Sequence, residues 1–163
     1  MAVPQEDNDS IYPFHPLPDP CPPPVEARMV IGTWKLVRSE LSPTAVQARG
    51  ANPIGMVVYD PNGYMSVQIM PDRPRNAFPS YSPTPEQARD ALLGYAAYFG
   101  YYRIDLEKGT IAHCRIGSLT FNANRILVRR FEILDNDTLV LRPIESEHTL
   151  YWKRLTRLCQ PDE

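Results

Sequence analysis

His113 is the residue of this 163-residue chain best suited to move a proton near neutral pH, because imidazole has an ordinary pKa in that range. It alternates with Ile111 and Arg115 on one face of a strand-like run, opposite Ala112, Cys114 and Ile116. Two roles suit it: a general acid or base, or a histidine satisfied by a neighbouring hydroxyl or carbonyl. Arg129 and Arg130 point to opposite faces of another run. Arg129 shares its face with Phe131 and Ile133, which marks it as the inward one. A buried guanidinium needs an acceptor, since an unpaired buried charge costs several kcal/mol. Glu132 or Glu40 would be a structural acceptor; a ligand carbonyl, enolate or carboxylate would be a functional one. Tyr102, on the face of Ile104 and Leu106, and the stripe Tyr64, Ser66 and Gln68 add hydroxyl and amide groups. These orient a ligand if they line a pocket and meet only solvent if they do not.

The elements that must position these groups are mostly strands. Gly55 to Met70 reads as a hairpin: Met56 to Tyr59, the turn Asp60-Pro61-Asn62-Gly63, then Tyr64 to Met70 with strict alternation. Pro61 presets its own φ, while Asn62 and Gly63 tolerate the positive φ that closes such a turn. Gly32 to Leu41 forms the first strand, with Trp34, Leu36 and Arg38 on one face, and Pro43 stops it. Ser42 to Pro53 reads as a loop. Thr84-Pro85-Glu86-Gln87 is a helix start with a capping box, and helical spacing runs on through Ala88, Ala91, Leu92, Tyr95 and Tyr98 or Phe99 to Gly100. Tyr95, Tyr98, Phe99 and Tyr101 crowd that helix end, where they either line a mouth or pin the helix. Five further strands follow: Tyr101 to Leu106, Thr110 to Ile116, Ile126 to Leu134, Thr138 to Arg142 and Thr149 to Leu155. The fold class is therefore all-β, an eight-stranded antiparallel barrel with one helix near a mouth. Eight strands is the number that encloses room for one small ligand.

Residues 1–28 carry eight of the eighteen prolines and form a Pro-rich N-terminal extension, either a disordered leader or a strap held by Ile11, Tyr12, Phe14 and Leu17. The barrel domain is expected over 29–158. A net charge of −2 offers phosphates no basic surface, so nucleic acid is not an expected partner. No apolar run of 18 residues occurs, so no membrane partner is expected either. Three cysteines at no recurrent spacing, with no secretory signal, fit a reduced cytoplasmic setting. His15, His113 and His148 are too scattered for a zinc site, and no phosphate loop, dinucleotide fingerprint or nucleophile elbow is present. No metal and no cofactor are expected.

Gly32-Thr33-Trp34, the hairpin Tyr-Asp-Pro-Asn-Gly-Tyr-Met-Ser-Val-Gln, Gly94 to Gly100, His113, Arg129-Arg130-Phe131-Glu132 and Trp152-Lys153-Arg154 together resemble the lipocalin-like domain family of bacteria and fungi, over roughly residues 30–155. The resemblance implies a pocket inside a barrel, association with natural-product biosynthesis, and Trp34 packed near Arg154. The reading of the chain is then a cofactor-independent isomerase or cyclase acting on a hydrophobic polyketide- or terpenoid-like intermediate. His113, Arg129 and Tyr102 are its catalytic candidates. Tyr64, Ser66, Gln68, Met56, Val58, Tyr98, Phe131 and Trp34 are its candidate pocket wall, Trp34 also serving as a seal at the closed end. The alternative is a non-catalytic carrier of a small hydrophobic metabolite. A homodimer is left open, as is a solid barrel whose aromatic helix end docks on a partner.

Overall fold

A computed structural model describes residues 18–77, 81–120 and 124–155. Eight strands, β1 Gly32–Glu40, β2 Ile54–Tyr59, β3 Tyr64–Met70, β4 Ala96–Asp105, β5 Thr110–Ser118, β6 Ile126–Leu134, β7 Thr138–Pro143 and β8 Thr149–Arg154, close into one barrel. Each strand pairs antiparallel with its sequence neighbour, and β1 completes the ring by pairing with β8 from Trp34↔Arg154 to Glu40↔Thr149. The hairpin turns follow from local chemistry. Asp60 Oδ1 accepts from the Asn62 and Tyr64 amides at 2.8 and 3.0 Å, and of the two residues expected to adopt positive φ only Gly63 does, at +97°. A Cβ there would also meet the Cys21 carbonyl oxygen at 2.3 Å, so the chain ahead of β1 lies directly on this turn. Between β6 and β7, Asp135 and Asn136 take φ of 53° and 57°, the turn geometry that matches the twist of the flanking strands.

One end of the barrel is packed shut. A short 3₁₀ helix, Val25–Val30, buries Ala27 and Val30 against it, and the Trp34 indole donates to the Val30 carbonyl at 2.9 Å. The Arg154 guanidinium lies 4.0 Å above the Trp34 ring and donates to the Ile31 carbonyl at 2.7 Å. This is the expected seal, and it removes Trp34 from the pocket wall. Trp152, Tyr59, Tyr102, Ile111 and Leu139 fill the interior above it. The described part of the Pro-rich extension therefore sits at the closed end; Ile11, Tyr12, Phe14 and Leu17 lie outside the described residues.

Three expectations change. The segment after β1 is not a loop: α1, Pro43–Arg49, occupies it, with Ser42 accepting from the Ala45 amide as N-cap and Pro43 in the first turn. The capping box at Thr84 and Gln87 is present, but α2 is only Pro85–Leu92. Gly94, at φ +80°, turns the chain, Tyr95 leads out of the turn, and the run from Ala96 to Gly100 becomes the start of β4 rather than a helix end. Finally, a register shift between Leu36 and Arg38 turns Arg38 outward, where it pairs with Glu40 and covers the Tyr151 ring. No described helix is long and apolar enough to cross a membrane. Cys21 is exposed, Cys114 is buried, and both are free thiols.

Candidate functional site

The barrel interior carries a polar chain. His113, on β5, is buried, and both its ring nitrogens are engaged: Nε2 with the Tyr59 hydroxyl at 2.7 Å and Nδ1 with the Tyr98 hydroxyl at 2.9 Å. Register makes this possible, because Tyr59, Tyr98 and His113 all occupy inward positions of β2, β4 and β5. The imidazole pKa is held well below 6.5, chiefly by burial and secondarily by Arg129. Burial likewise raises both phenols. All three groups are thus neutral at pH 7, and a neutral imidazole donates through one nitrogen and accepts through the other. His113 is a satisfied hydrogen-bond hub between two tyrosines.

A β-bulge shapes this region. The pairing of β4 with β5 shifts between Phe99 and Gly100, so that Tyr98 faces Ser118 while Gly100 faces Arg115. A Cβ on Gly100 would lie 2.0 Å from the Cys114 carbonyl oxygen, and only glycine allows the two strands to approach this closely. Ile111, His113 and Arg115 are inward by simple alternation, the bulge follows them at residues 116–117, and the Arg115 guanidinium lies 5.8 Å from the Tyr98 ring centre. Arg129 is inward on β6, as expected, and half-buried; it donates to the Leu127 carbonyl at 3.1 Å, and its charge opposes the rise that burial gives the Tyr98 phenol. Neither expected structural acceptor serves it. Glu132 faces out and pairs with Arg142 at 3.2 Å, while Glu40 pairs with Arg38.

The mouth lies where β4 begins and β1 ends, and there α1 and α2 frame an open cleft of about 900 Å³. Ala45, Ala48, Leu92, Leu93, Tyr95 and Ala96 give it apolar walls, with Arg49, Arg89, His148, Ser42 and Thr120 as the polar complement. Arg73 ties the two helices together. Its guanidinium donates to Ala48 O of α1 at 2.9 Å, to Asp90 Oδ1 of α2 at 2.6 Å, and to the Asp90 and Leu93 carbonyls at 2.9 Å each. The Asn76 amide and Arg73 hold the Asp90 carboxyl below the usual carboxylate range. A smaller cavity of about 190 Å³ opens beside Arg129, between Leu127, Pro143 and Glu145.

The sequence-derived candidates divide accordingly. His113, Arg129, Tyr98 and Phe131 face the interior, and the first three form one cluster. Tyr102 is buried but belongs to the closed end: its hydroxyl donates to the Asp60 carbonyl at 2.7 Å and its ring packs edge-on against Tyr59 at 4.9 Å. It is not positioned with the mouth cluster. Tyr64, Ser66 and Gln68 occupy the outward face of β3, because Met65, Val67 and Ile69 take the core. Met56 and Val58 are outward on β2 for the same reason, Val57 and Tyr59 being buried. Sequence reasoning missed Tyr59, Arg49 and the leucines of α2. Arg115 was placed on the right face without a role. Among the described residues no three His, Cys, Asp or Glu side chains come together to hold a metal ion.

Residues 31–156 match the family model of a lipocalin-like domain. No curated protein matches the chain in sequence. A solved structure described as "REP1-NXSQ fatty acid transporter" is similar at 13% identity with a TM-score of 0.41, the match covering 80% of this chain and 99% of that one.

Proposed function

Because the chain belongs to the lipocalin-like domain family, we propose that it binds a small hydrophobic molecule in the cleft at the barrel mouth. The observation that carries this reading is the cleft itself: about 900 Å³ of open space with mainly aliphatic and aromatic walls, bounded by two helices that Arg73 fixes to each other. Pockets of a few hundred to about 1,000 Å³ with apolar walls and a few polar groups are the usual form of a small-molecule site. Packing of Trp34, Trp152, Tyr59 and Tyr102 fills the closed half of the barrel, which directs a ligand to the mouth half.

A second reading, the cofactor-free isomerase or cyclase acting on a polyketide- or terpenoid-like intermediate, is favoured by one specific arrangement. When the imidazole proton sits on Nδ1, the Tyr59 hydroxyl donates to Nε2, Nδ1–H donates to the Tyr98 oxygen, and the Tyr98 proton is left to point toward the mouth. Tyr98 beside Arg129 would then polarise a ligand carbonyl, with His113 as a positioning residue behind it, a placed donor of this kind contributing about 10²- to 10³-fold. Tyr102 and Gln68 have no part in that scheme.

The discriminating experiment incubates the pure protein, without added cofactor, in a metabolite extract of its host and follows small molecules by chromatography and mass spectrometry. A compound retained unchanged supports binding alone. A compound replaced by an isomer of equal mass, faster than in buffer and slowed by Tyr98→Phe, supports catalysis. Neither retention nor conversion of any compound overturns both readings.

A further inference from the structure

Three arginines converge on this end of the barrel. Arg49 from the last turn of α1 lines the cleft, Arg129 faces inward from β6 and lines the smaller cavity, and the Arg115 guanidinium from β5 lies 5.8 Å from the Tyr98 ring centre. These guanidiniums are close enough to act on one another: Arg129 lowers the pKa of both Arg49 and Arg115, after the larger effect of burial in each case. Like charges gathered in a partly buried site destabilise it unless an opposite charge arrives.

No carboxylate of the described residues fills that role for Arg49 or Arg129. Neither belongs to any of the ion pairs formed among them, which join Arg38 to Glu40, Arg73 to Asp90, Lys108 to Asp105, Arg142 to Glu132 and Arg154 to Asp137. Asp72, beside the end of α1, accepts from the Asn52 amide at 3.0 Å instead. Glu145 shares the small cavity with Arg129 but forms no ion pair with it. The charged groups acting on the Tyr98 phenol are Arg129, Arg115 and Arg49, all positive.

Building on the proposed function, we infer that the ligand is an amphipathic acid: an apolar body held between α1 and α2, with a carboxylate or other delocalised oxyanion seated on Arg49 and Arg129 and accepting from the Tyr98 hydroxyl. Guanidinium presents planar paired donors that match a carboxylate, and a hydrogen bond to a charged partner is about twice as strong as a neutral one. The geometry sets the polar end down in the barrel and the apolar end out between the helices. Arg115, 5.8 Å from the Tyr98 ring centre, adds field rather than contact.

Dodecanoic acid, methyl dodecanoate and 1-dodecanol share a chain and differ at the head, so calorimetric titration of the full-length protein with each isolates the head-group contribution. The acid is expected to bind about 10- to 100-fold more tightly than the ester or the alcohol. Arg129→Gln and Arg49→Gln should each narrow that ratio, by weakening acid binding more than alcohol binding. Equal affinity for all three in the unaltered protein overturns the inference but leaves the hydrophobic site standing. Binding of none of them by folded protein overturns the inference together with the reading it rests on. The comparison of the three ligands on unaltered protein needs no variant, so it decides the matter even if a substitution prevents folding.

Discussion

Replacing His113 with leucine, which has similar volume and no polar atom, should be costly in a way that a second substitution repairs. The Tyr59 hydroxyl has His113 as its one hydrogen-bond partner among the described residues, 2.7 Å away, and Tyr59 is buried. Tyr98 is also bonded to His113, at 2.9 Å, but keeps Arg129 nearby. An orphaned buried hydroxyl costs about 1–3 kcal/mol, so His113→Leu should lose that full amount through Tyr59 and less through Tyr98, about 2–4 kcal/mol in all. Adding Tyr59→Phe removes the orphan and should recover about 1–2 kcal/mol, whereas adding Tyr98→Phe should recover less than that. Urea unfolding followed by the fluorescence of Trp34 and Trp152 measures each variant. A His113→Leu protein within about 1 kcal/mol of the parent, or a Tyr59→Phe addition that lowers stability further, would mean that Tyr59 is not left with an orphaned hydroxyl.

Other consequences can be checked separately. His113 is held neutral in the fold while its ordinary pKa is 6.5, so the unfolded chain binds the extra proton. Its contribution is therefore complete above pH 6.5 and declines as pH falls below it, by up to about 1.4 kcal/mol per unit. His148, lowered by burial and by Arg49, acts in the same direction, so the difference in slope between the parent and His113→Gln isolates His113. The two indoles should respond differently to phenylalanine: Trp34 donates to Val30 and carries Arg154, whereas the buried Trp152 Nε1 has no partner among the described residues. Trp34→Phe should then be the more destabilising in thermal melts, by about 1–2 kcal/mol. Gly100→Ala should destabilise by more than about 2 kcal/mol, because its Cβ would press on the Cys114 carbonyl and the bulge could not form; a normal urea midpoint would contradict this. Gln68→Ala and Ser66→Ala, on the outer face, should leave ligand titrations unchanged.

Much of the barrel is legible in the chain because period-2 alternation and turn chemistry are local properties. The Asp60 to Gly63 turn, the Thr84 capping box and the strict alternation from Tyr64 to Met70 each carry their own signal. The errors arose where two signals overlapped. Pro43 ends a strand, but preceded by Ser42 it is also a helix start, and reading only the first meaning hid α1 and with it Arg49. The apolar spacing of α2 continues into Tyr95 to Phe99, yet Gly94 at positive φ breaks the helix before them. The facing of the hairpin was ambiguous because apolar residues occupy both faces. Met56 and Val58 are as hydrophobic as Val57, and only pairing around the whole ring decides that Tyr59 enters the core. The bulges near Leu36 and Gly100 change the parity of their strands, which periodicity cannot foresee. Arg129 is legible as an inward residue, whereas the facing of His113 is not; that both lie inside near Tyr98 depends on barrel closure and so is not readable from the chain.

A ligand seated at the barrel mouth is tested most directly by an amide and guanidinium NMR titration of the chain with dodecanoic acid. Saturable shifts are expected at Arg49, Leu92, Leu93, Ala96 and Arg129, with Tyr64, Ser66 and Gln68 undisturbed. Shifts confined to the outer sheet face, or no saturable shift in a folded protein, would contradict that placement.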